Sequence, residues 1–470
     1  MPSVPRILFV SPETPCPTGT GGRVRSWHVL RGLAQQYAVT LLVLNHDYVA
    51  MDAELRRFCS QVFRPLGKLA PACPPPRWRS LLKTVGVLAF PWQRNWEVLA
   101  AYAGQHCGGP PHQDSHRSTR LVSALLSLEI RLVARRYTPP PMLALYLQNT
   151  ARSLGPDTVS RLASERYDVL WIEHSICHPA ARQLLPSGQR PLRVCNAHNV
   201  EFLLQERCAA LARSPAEAQW TALQSELVRR IESDAFQSCD LTLACSKDDA
   251  ALIAQLAPQA SLLTVPNGVD TGYFRPSPGS HPAPAPTLVF TAGFLYQANC
   301  DAVGWFIAEI FPRVRAAVPD CQFIFAGLAA QAAFNRLSVK PDGVHCVSDP
   351  ADIRPQFESA WVFVVPLRAG GGTRLKILEA MAMERPVVST RVGAEGVPYK
   401  DGEHLLLADS AEEFARAAIR LLQSRELREK LVANAALFAR QHYEWSTLME
   451  MTRSKLDTMI SAVGRQGNGL

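Results

Sequence analysis

No apolar run in this chain of 470 residues approaches the roughly 18 to 20 residues that a membrane span needs. The best stretch, residues 85–90, is short and lies between Lys83 and Pro91. A secretory leader is not expected either, because Arg6 is followed by only four apolar residues and then by Ser-Pro-Glu. The twelve cysteines are scattered singly, with no CxxC pair. That excludes a disulfide scaffold and argues against structural zinc, and it reads as reduced thiols in a cytoplasmic protein. An unusual overall composition is absent too: hydrophobic residues make up 47% and charged residues 19%, which excludes a disordered chain, a collagen-like fibre and a coiled coil. At about 100 to 200 residues per domain, the length predicts two or three domains.

The charge is unevenly placed. The formal net charge is +8, yet residues 64–152 alone hold twelve Arg or Lys against three acids. The rest of the chain is therefore nearly neutral. Trp78, Phe90, Trp92 and Trp96 are interleaved there with Arg77, Arg79, Lys83 and Arg94. Such a mixture suits an anionic membrane surface, and it equally suits a solvated basic face with tryptophans in a local core. Nucleic acid is not expected as a partner, since no nucleic-acid-binding motif accompanies the charge.

Buried strands are predicted at 6–10 and 39–44, with a Gly-rich loop and a helix between them. This βαβ opening implies a parallel sheet. Further strands are predicted at 168–172, 192–195, 241–244 and 262–265. Residues 275–286 read RPSPGSHPAPAP, which packs neither as helix nor as central strand. A second βα series follows, with strands at 288–292, 322–326, 344–347, 361–365, 387–389 and 404–407 and helices including 301–318 and 373–383. The expected layout is a first domain at 1–274 with an irregular basic insertion at about 64–152, a linker at 275–286, a second domain at 287–442, and a closing helix and tail at 443–470. Two doubly wound domains imply a cleft with ligands at the carboxyl ends of the strands.

Four segments carry chemistry. RAGGGTRLKILE at 368–379 follows a predicted strand and opens a helix. Its glycines, Gly371 and Gly372 among them, let the backbone approach a ligand. The helix start near Thr373 offers free N–H groups and a positive dipole end. Arg368, Arg374 and Lys376 add fixed cations, and Glu379 stands where a carboxylate would take two ribose hydroxyls. The pattern asks for a nucleoside diphosphate, although Lys376 and Glu379, three apart, also fit a plain surface pair. TGTGGRVR at 18–25 opens the first helix with Gly21 and Gly22 but lacks GxGxxG, which disfavours a dinucleotide enzyme. NAHNVE at 196–201 puts His198 at a strand's carboxyl end facing the cleft; Glu173 and His174 end a neighbouring strand and form a weaker candidate pair. PNGVDTGYFRP at 266–276 contains Asn-Gly, a turn signal.

These pieces, in this order, resemble a retaining glycosyltransferase of the GT-B type, family 4. That family joins a Gly-Gly loop, a histidine in the first domain, PNGVD before the second domain and an LEAMA helix followed by PVV. Here the helix motif is at 378–382 and Pro-Val-Val at 386–388. The GGGTRLKILEAMA version is most similar to bacterial sugar transferases of exopolysaccharide assembly. The resemblance implies an α/β GT-B fold of two Rossmann-like domains. It also implies transfer from a UDP- or GDP-type sugar to a lipid-linked or glycan acceptor, with retention and with neither metal nor other cofactor. It assigns the donor ribose to Glu379, the phosphates and acceptor to Gly21 and Gly22, the donor sugar to His198, and the leaving diphosphate to Arg374 and Lys376. Two departures stand out: Gly371 occupies the position of the family's other glutamate, and AGFLYQANC at 292–300 lacks the usual Arg and Lys. A catalytically silent scaffold and a sugar-nucleotide 2-epimerase are the competing readings.

Overall fold

Aliphatic and aromatic residues alternate between two cores along the first strands. Ile7 and Phe9 of β1 (Arg6–Ser11) enter a cluster with Trp27 and Trp171, while Leu8 and Val10 enter one with Ile172 and Phe236. A strand buried on both faces belongs to a parallel sheet covered by helices on each side. The structure, a computed structural model, describes residues 4–18, 21–44, 51–64, 154, 156–184, 188–209, 215–337, 339–369 and 374–467. Most of the basic segment, together with Gly371, Gly372 and Thr373, lies outside these residues.

The first sheet contains β1, β2 (Ala38–Val43), β3 (Gln61–Phe63), β4 (Val169–Glu173), β5 (Leu192–Asn196), β6 (Leu241–Ala244) and β7 (Leu262–Thr264). Their order is β3-β2-β1-β4-β5-β6-β7, and every pairing is parallel. The second contains β8 (Thr287–Thr291), β9 (Gln322–Gly327), β10 (Val344–Ser348), β11 (Val362–Val365), β12 (Val387–Ser389) and β13 (Leu406–Leu407). Its order is β10-β9-β8-β11-β12-β13, again parallel throughout. The two doubly wound sheets agree with the fold class expected from the sequence.

Helices follow the predicted pattern with local differences. Those that frame the site are α1 (Gly21–Leu33), α2 (Glu201–Ala209), α3 (Pro215–Ser238), α4 (Gln297–Trp305) and α5 (Leu375–Ala382). The helix expected at 301–318 begins earlier and is broken by a wider, π-type turn at Phe306–Ile310. Pro312 follows this turn and has no N–H to give to a regular helical ladder. Strand β3 was not anticipated, being only three residues long.

The last helix, α6 (Trp445–Gly467), returns to the first sheet. Trp445, Leu448 and Met449 join the cluster built on Phe9 and Trp27. Tyr37 Oη donates to Asp457 Oδ1 at 2.7 Å, and Arg453 Nη1 donates to Gly32 O at 2.8 Å. The Asn-Gly pair lies beneath the start of this helix. A Cβ on Gly268 would stand 2.7 Å from Trp445 Cδ2 and 2.8 Å from Tyr443 O. Close approach, not a left-handed backbone, therefore calls for glycine there.

Candidate active site between the two sheets

In each sheet the strand order reverses between two neighbours, and the loops leaving those neighbours part to leave a crevice. In the first sheet the neighbours are β1 and β4. The loop after β1 runs into α1 at Gly21, and β4 ends at Glu173. The register of β4 on β5 sets Glu173 opposite Asn196.

Glu173 is fully buried and surrounded by donors. His198 Nε2 lies 2.6 Å from its Oε1, Trp171 Nε1 donates to Oε2 at 2.7 Å, Ser26 Oγ is 2.9 Å from Oε1, and Asn196 Nδ2 reaches both oxygens at 3.0 Å. Burial alone would raise this carboxyl, but His198, Asn196 and Trp171 outweigh it and bring it down to about 2. Burial, with His174 alongside, lowers His198 to about 4 against the pull of Glu173. At neutral pH the pair is thus a carboxylate facing a neutral imidazole.

His174 leaves β4 with a left-handed backbone, φ 69°. Its ring lies 3.7 Å from that of His198, centroid to centroid, tilted by 32°. Gly22 faces both rings: a Cβ there would stand 3.3 Å from His174 Nε2 and 3.6 Å from His198 Nδ1. The Nδ1 atoms of both histidines are buried without a hydrogen-bond partner. His174 Nδ1 is 3.6 Å from Glu201 Oε1. Glu201 opens α2, whose first N–H groups donate to Glu232 of α3 at 3.0 Å each. Burial and the Glu201 charge push Glu232 up to about 8.

Arg25 is buried beside this group. It donates to Asn196 Oδ1 at 2.8 Å, Asn267 Oδ1 at 2.9 Å and Val265 O at 2.9 Å. The asparagine of PNGVD is therefore joined to the strand end that precedes His198.

In the second sheet the reversal lies between β8 and β11. The segment after β8 carries Tyr296 and Asn299, and the segment after β11 leads into α5. Lys376 Nζ donates to Asn299 Oδ1 at 3.3 Å and sits 4.4 Å over the Phe290 ring. Burial, then the neighbouring Arg374, push Lys376 down to about 7; burial pushes Glu379 up to about 7, with Lys376 opposing. Arg374 donates to Val392 O at 3.3 Å and lies 3.8 Å from Glu395.

The two halves meet here. A Cβ on Gly21 would stand 3.1 Å from Leu375 Cδ1, at the first residue of α5. Arg207 of α2 makes two contacts with Glu395, one of them 2.8 Å long. The structure thus brings Gly21, Gly22 and His198 together on one side and Arg374, Lys376 and Glu379 on the other. Arg368 pairs with Asp301 of α4 at 2.6 and 3.0 Å, with its guanidinium 5.3 Å over the Trp305 ring. Gly371, Gly372 and Thr373 lie outside the described residues. Sequence reasoning missed Glu201, Glu232, Arg207 and Glu395. Glu173 carried a signal, as an acid ending the fully buried strand VLWIE.

With this geometry in view, residues 285–424 match the profile of the family described as glycosyl transferases group 1. Over 214 residues the chain is 28% identical to the phosphatidyl-myo-inositol mannosyltransferase of Mycobacterium tuberculosis, covering 42% of this chain and 54% of that protein. It is 25% identical over 164 residues to a 44.6 kDa protein of the cps region of Klebsiella pneumoniae, covering 33% and 42%. The chain thus spans about half the length of the curated relatives it matches. Among solved structures, sucrose-phosphate synthase of Thermosynechococcus elongatus superposes with a TM-score of 0.62 at 15% identity, over 97% of this chain and 100% of that one. Anabaena HepE in complex with UDP-glucose gives a TM-score of 0.55 at 14% identity, over 96% and 99%. The fold is GT-B.

Proposed function

We propose that this glycosyltransferase moves a sugar from a UDP- or GDP-sugar to a lipid-linked or glycan acceptor, with retention at the anomeric carbon and without a metal. The observation that carries the reading is the grouping of Arg374, Lys376 and Glu379 on the first turns of α5, directly across from Gly21. The two cations and the helix N-terminus supply preplaced positive charge for the leaving diphosphate. Glu379, one turn beyond Lys376, takes the ribose hydroxyls. His198 contacts the donor sugar, and Gly21 and Gly22 admit the phosphates and the acceptor. Arg368, tied to Asp301, steadies α4 in this arrangement.

Support for the donor class comes from the UDP-glucose bound to Anabaena HepE, and for a lipid acceptor from the name of the mycobacterial mannosyltransferase. We place the protein in the cytoplasm, peripheral on the inner membrane face. The charge and tryptophans of residues 64–152 support an anionic lipid contact. Among the described residues no helix is long and apolar enough to cross a membrane.

Thermal-shift titration against UDP, GDP, ADP, CMP, dTDP and their common sugars tests the reading. A ligand at about a hundred times its dissociation constant adds roughly 2.7 kcal/mol of stability. The expected result is one clear shift, for UDP or GDP, lost in Glu379→Ala. No shift with any nucleotide would falsify the donor site.

A further inference from the structure

Every atom facing the Glu173 carboxylate is a donor or can act as one: Trp171 Nε1, Asn196 Nδ2, Ser26 Oγ and His198 Nε2. A carboxylate accepts only, so the histidine nitrogen at 2.6 Å must carry the proton. The other ring nitrogen, Nδ1, then holds a lone pair. It is buried, without a partner, and faces Gly22, the residue that leaves no side chain in front of it. A buried acceptor of this kind is costly unless a donor meets it. The β4–β5 register that sets Glu173 beside Asn196, and the Arg25 bonds that fix Asn196, hold the acid in place.

We propose that Glu173 is a positioning residue that holds His198 as its Nε2–H tautomer, so that Nδ1 accepts a hydrogen bond from a hydroxyl of the sugar being transferred. The proposal rests on the nucleotide-sugar reading for the identity of the hydroxyl's owner, but not for the tautomer. Phosphate is excluded as the partner of Nδ1, because an ionised phosphate offers no donor. A sugar hydroxyl offers one, because its O–H can rotate toward the nitrogen.

Glu173→Gln separates tautomer from packing. The carboxamide has the shape of the acid but brings an NH2 group. Trp171 cannot stop donating, whereas His198 can move its proton. The variant is expected to place its oxygen toward Trp171 and its NH2 toward His198, converting the ring to the Nδ1–H tautomer.

Long-range 1H–15N spectra of the 15N-histidine-labelled full chain at neutral pH read this directly, with His198→Gln identifying the signal. Expected are Nε2–H in the wild type and Nδ1–H in Glu173→Gln. Sugar transfer should fall by roughly a hundredfold or more in kcat, as wrong-tautomer variants do, with the melting-temperature shift given by UDP unchanged. A wild-type ring protonated on Nδ1, or a Glu173→Gln enzyme with wild-type kcat, overturns the proposal. Should Glu173→Gln not fold, the wild-type spectrum decides alone. Should wild-type protein transfer no sugar from any donor, the transferase reading falls, and the spectra still decide the role of Glu173.

Discussion

Arg207 and Glu395 form a two-contact ion pair that ties α2, on the first sheet, to the segment after β12 on the second. Glu395 also lies 3.8 Å from Arg374, at the mouth of the proposed diphosphate site. One carboxylate thus bridges the halves and stands beside the cation to which the proposed function gives the leaving diphosphate.

Removing that charge should help the nucleotide. Glu395→Gln is expected to tighten UDP binding by roughly threefold to tenfold, because an anion no longer competes for Arg374. The cost to folding is small, about 0 to 1 kcal/mol, since both partners are near 30% exposed. Calorimetric titration of UDP into both proteins checks this, and weaker binding by the variant would refute the competition.

Lys376 and Glu379 both stand near pH 7, one pushed down by burial and one pushed up. For the lysine, the folded chain gives up its proton at lower pH than the unfolded chain does. Its contribution to stability therefore grows as pH rises from about 7 toward its ordinary value. A bound diphosphate reverses the local balance and favours the protonated lysine. UDP binding at pH 8 is thus expected to take up protons, and affinity to decline as pH rises from 7 to 9. Titrations in buffers of different ionisation enthalpy measure the uptake. Persistence of the same uptake in Lys376→Met would assign it elsewhere.

Gly22 offers a test in which stability and activity part. Alanine is a better helix former than glycine by up to about 1 kcal/mol, so Gly22→Ala at the start of α1 should fold at least as well. Its Cβ would press on His174 Nε2 at 3.3 Å and fill the space before His198 Nδ1, touching it at 3.6 Å. Transfer is expected to fall by about tenfold or more, because the methyl group nudges the His174 ring and blocks the approach to His198 Nδ1, with the melting temperature kept. Full activity in this variant would place the sugar away from the histidines.

The strands were legible as continuous apolar runs because both faces are buried: Val169 and Trp171 enter one core, Leu170 and Ile172 the other. The cation–carboxylate group on α5 was legible because Arg374, Lys376 and Glu379 are local in sequence. The carboxylate–histidine pair was only half legible. Glu173 and His198 each showed as a polar residue at a strand end. Their contact depends on β4 and β5 being neighbours in register, which a single sequence does not state. The pairing of Arg368 was hidden for the same reason, since its partner Asp301 lies 67 residues away. Glu232 was not legible because it accepts from the first N–H groups of α2, 30 and 31 residues away in sequence.

The return of α6 to the first sheet makes the Asn-Gly pair a stability determinant. Val269 N donates to Tyr443 O at 2.7 Å, and Thr271 Oγ1 donates to Glu444 at 2.6 Å, so the chain before the linker is pinned to the start of α6. Trp445 then packs with Leu448 and Met449 in the core on one face of the first sheet. A methyl group on Gly268 meets Trp445 Cδ2 at 2.7 Å and the Tyr443 carbonyl at 2.8 Å, neither of which is a flexible side-chain end. Gly268→Ala is therefore expected to cost about 1 to 3 kcal/mol, the range for overpacking. Urea unfolding followed by tryptophan fluorescence should show an earlier transition, whereas an unshifted transition would mean that α6 yields to the added methyl without loss.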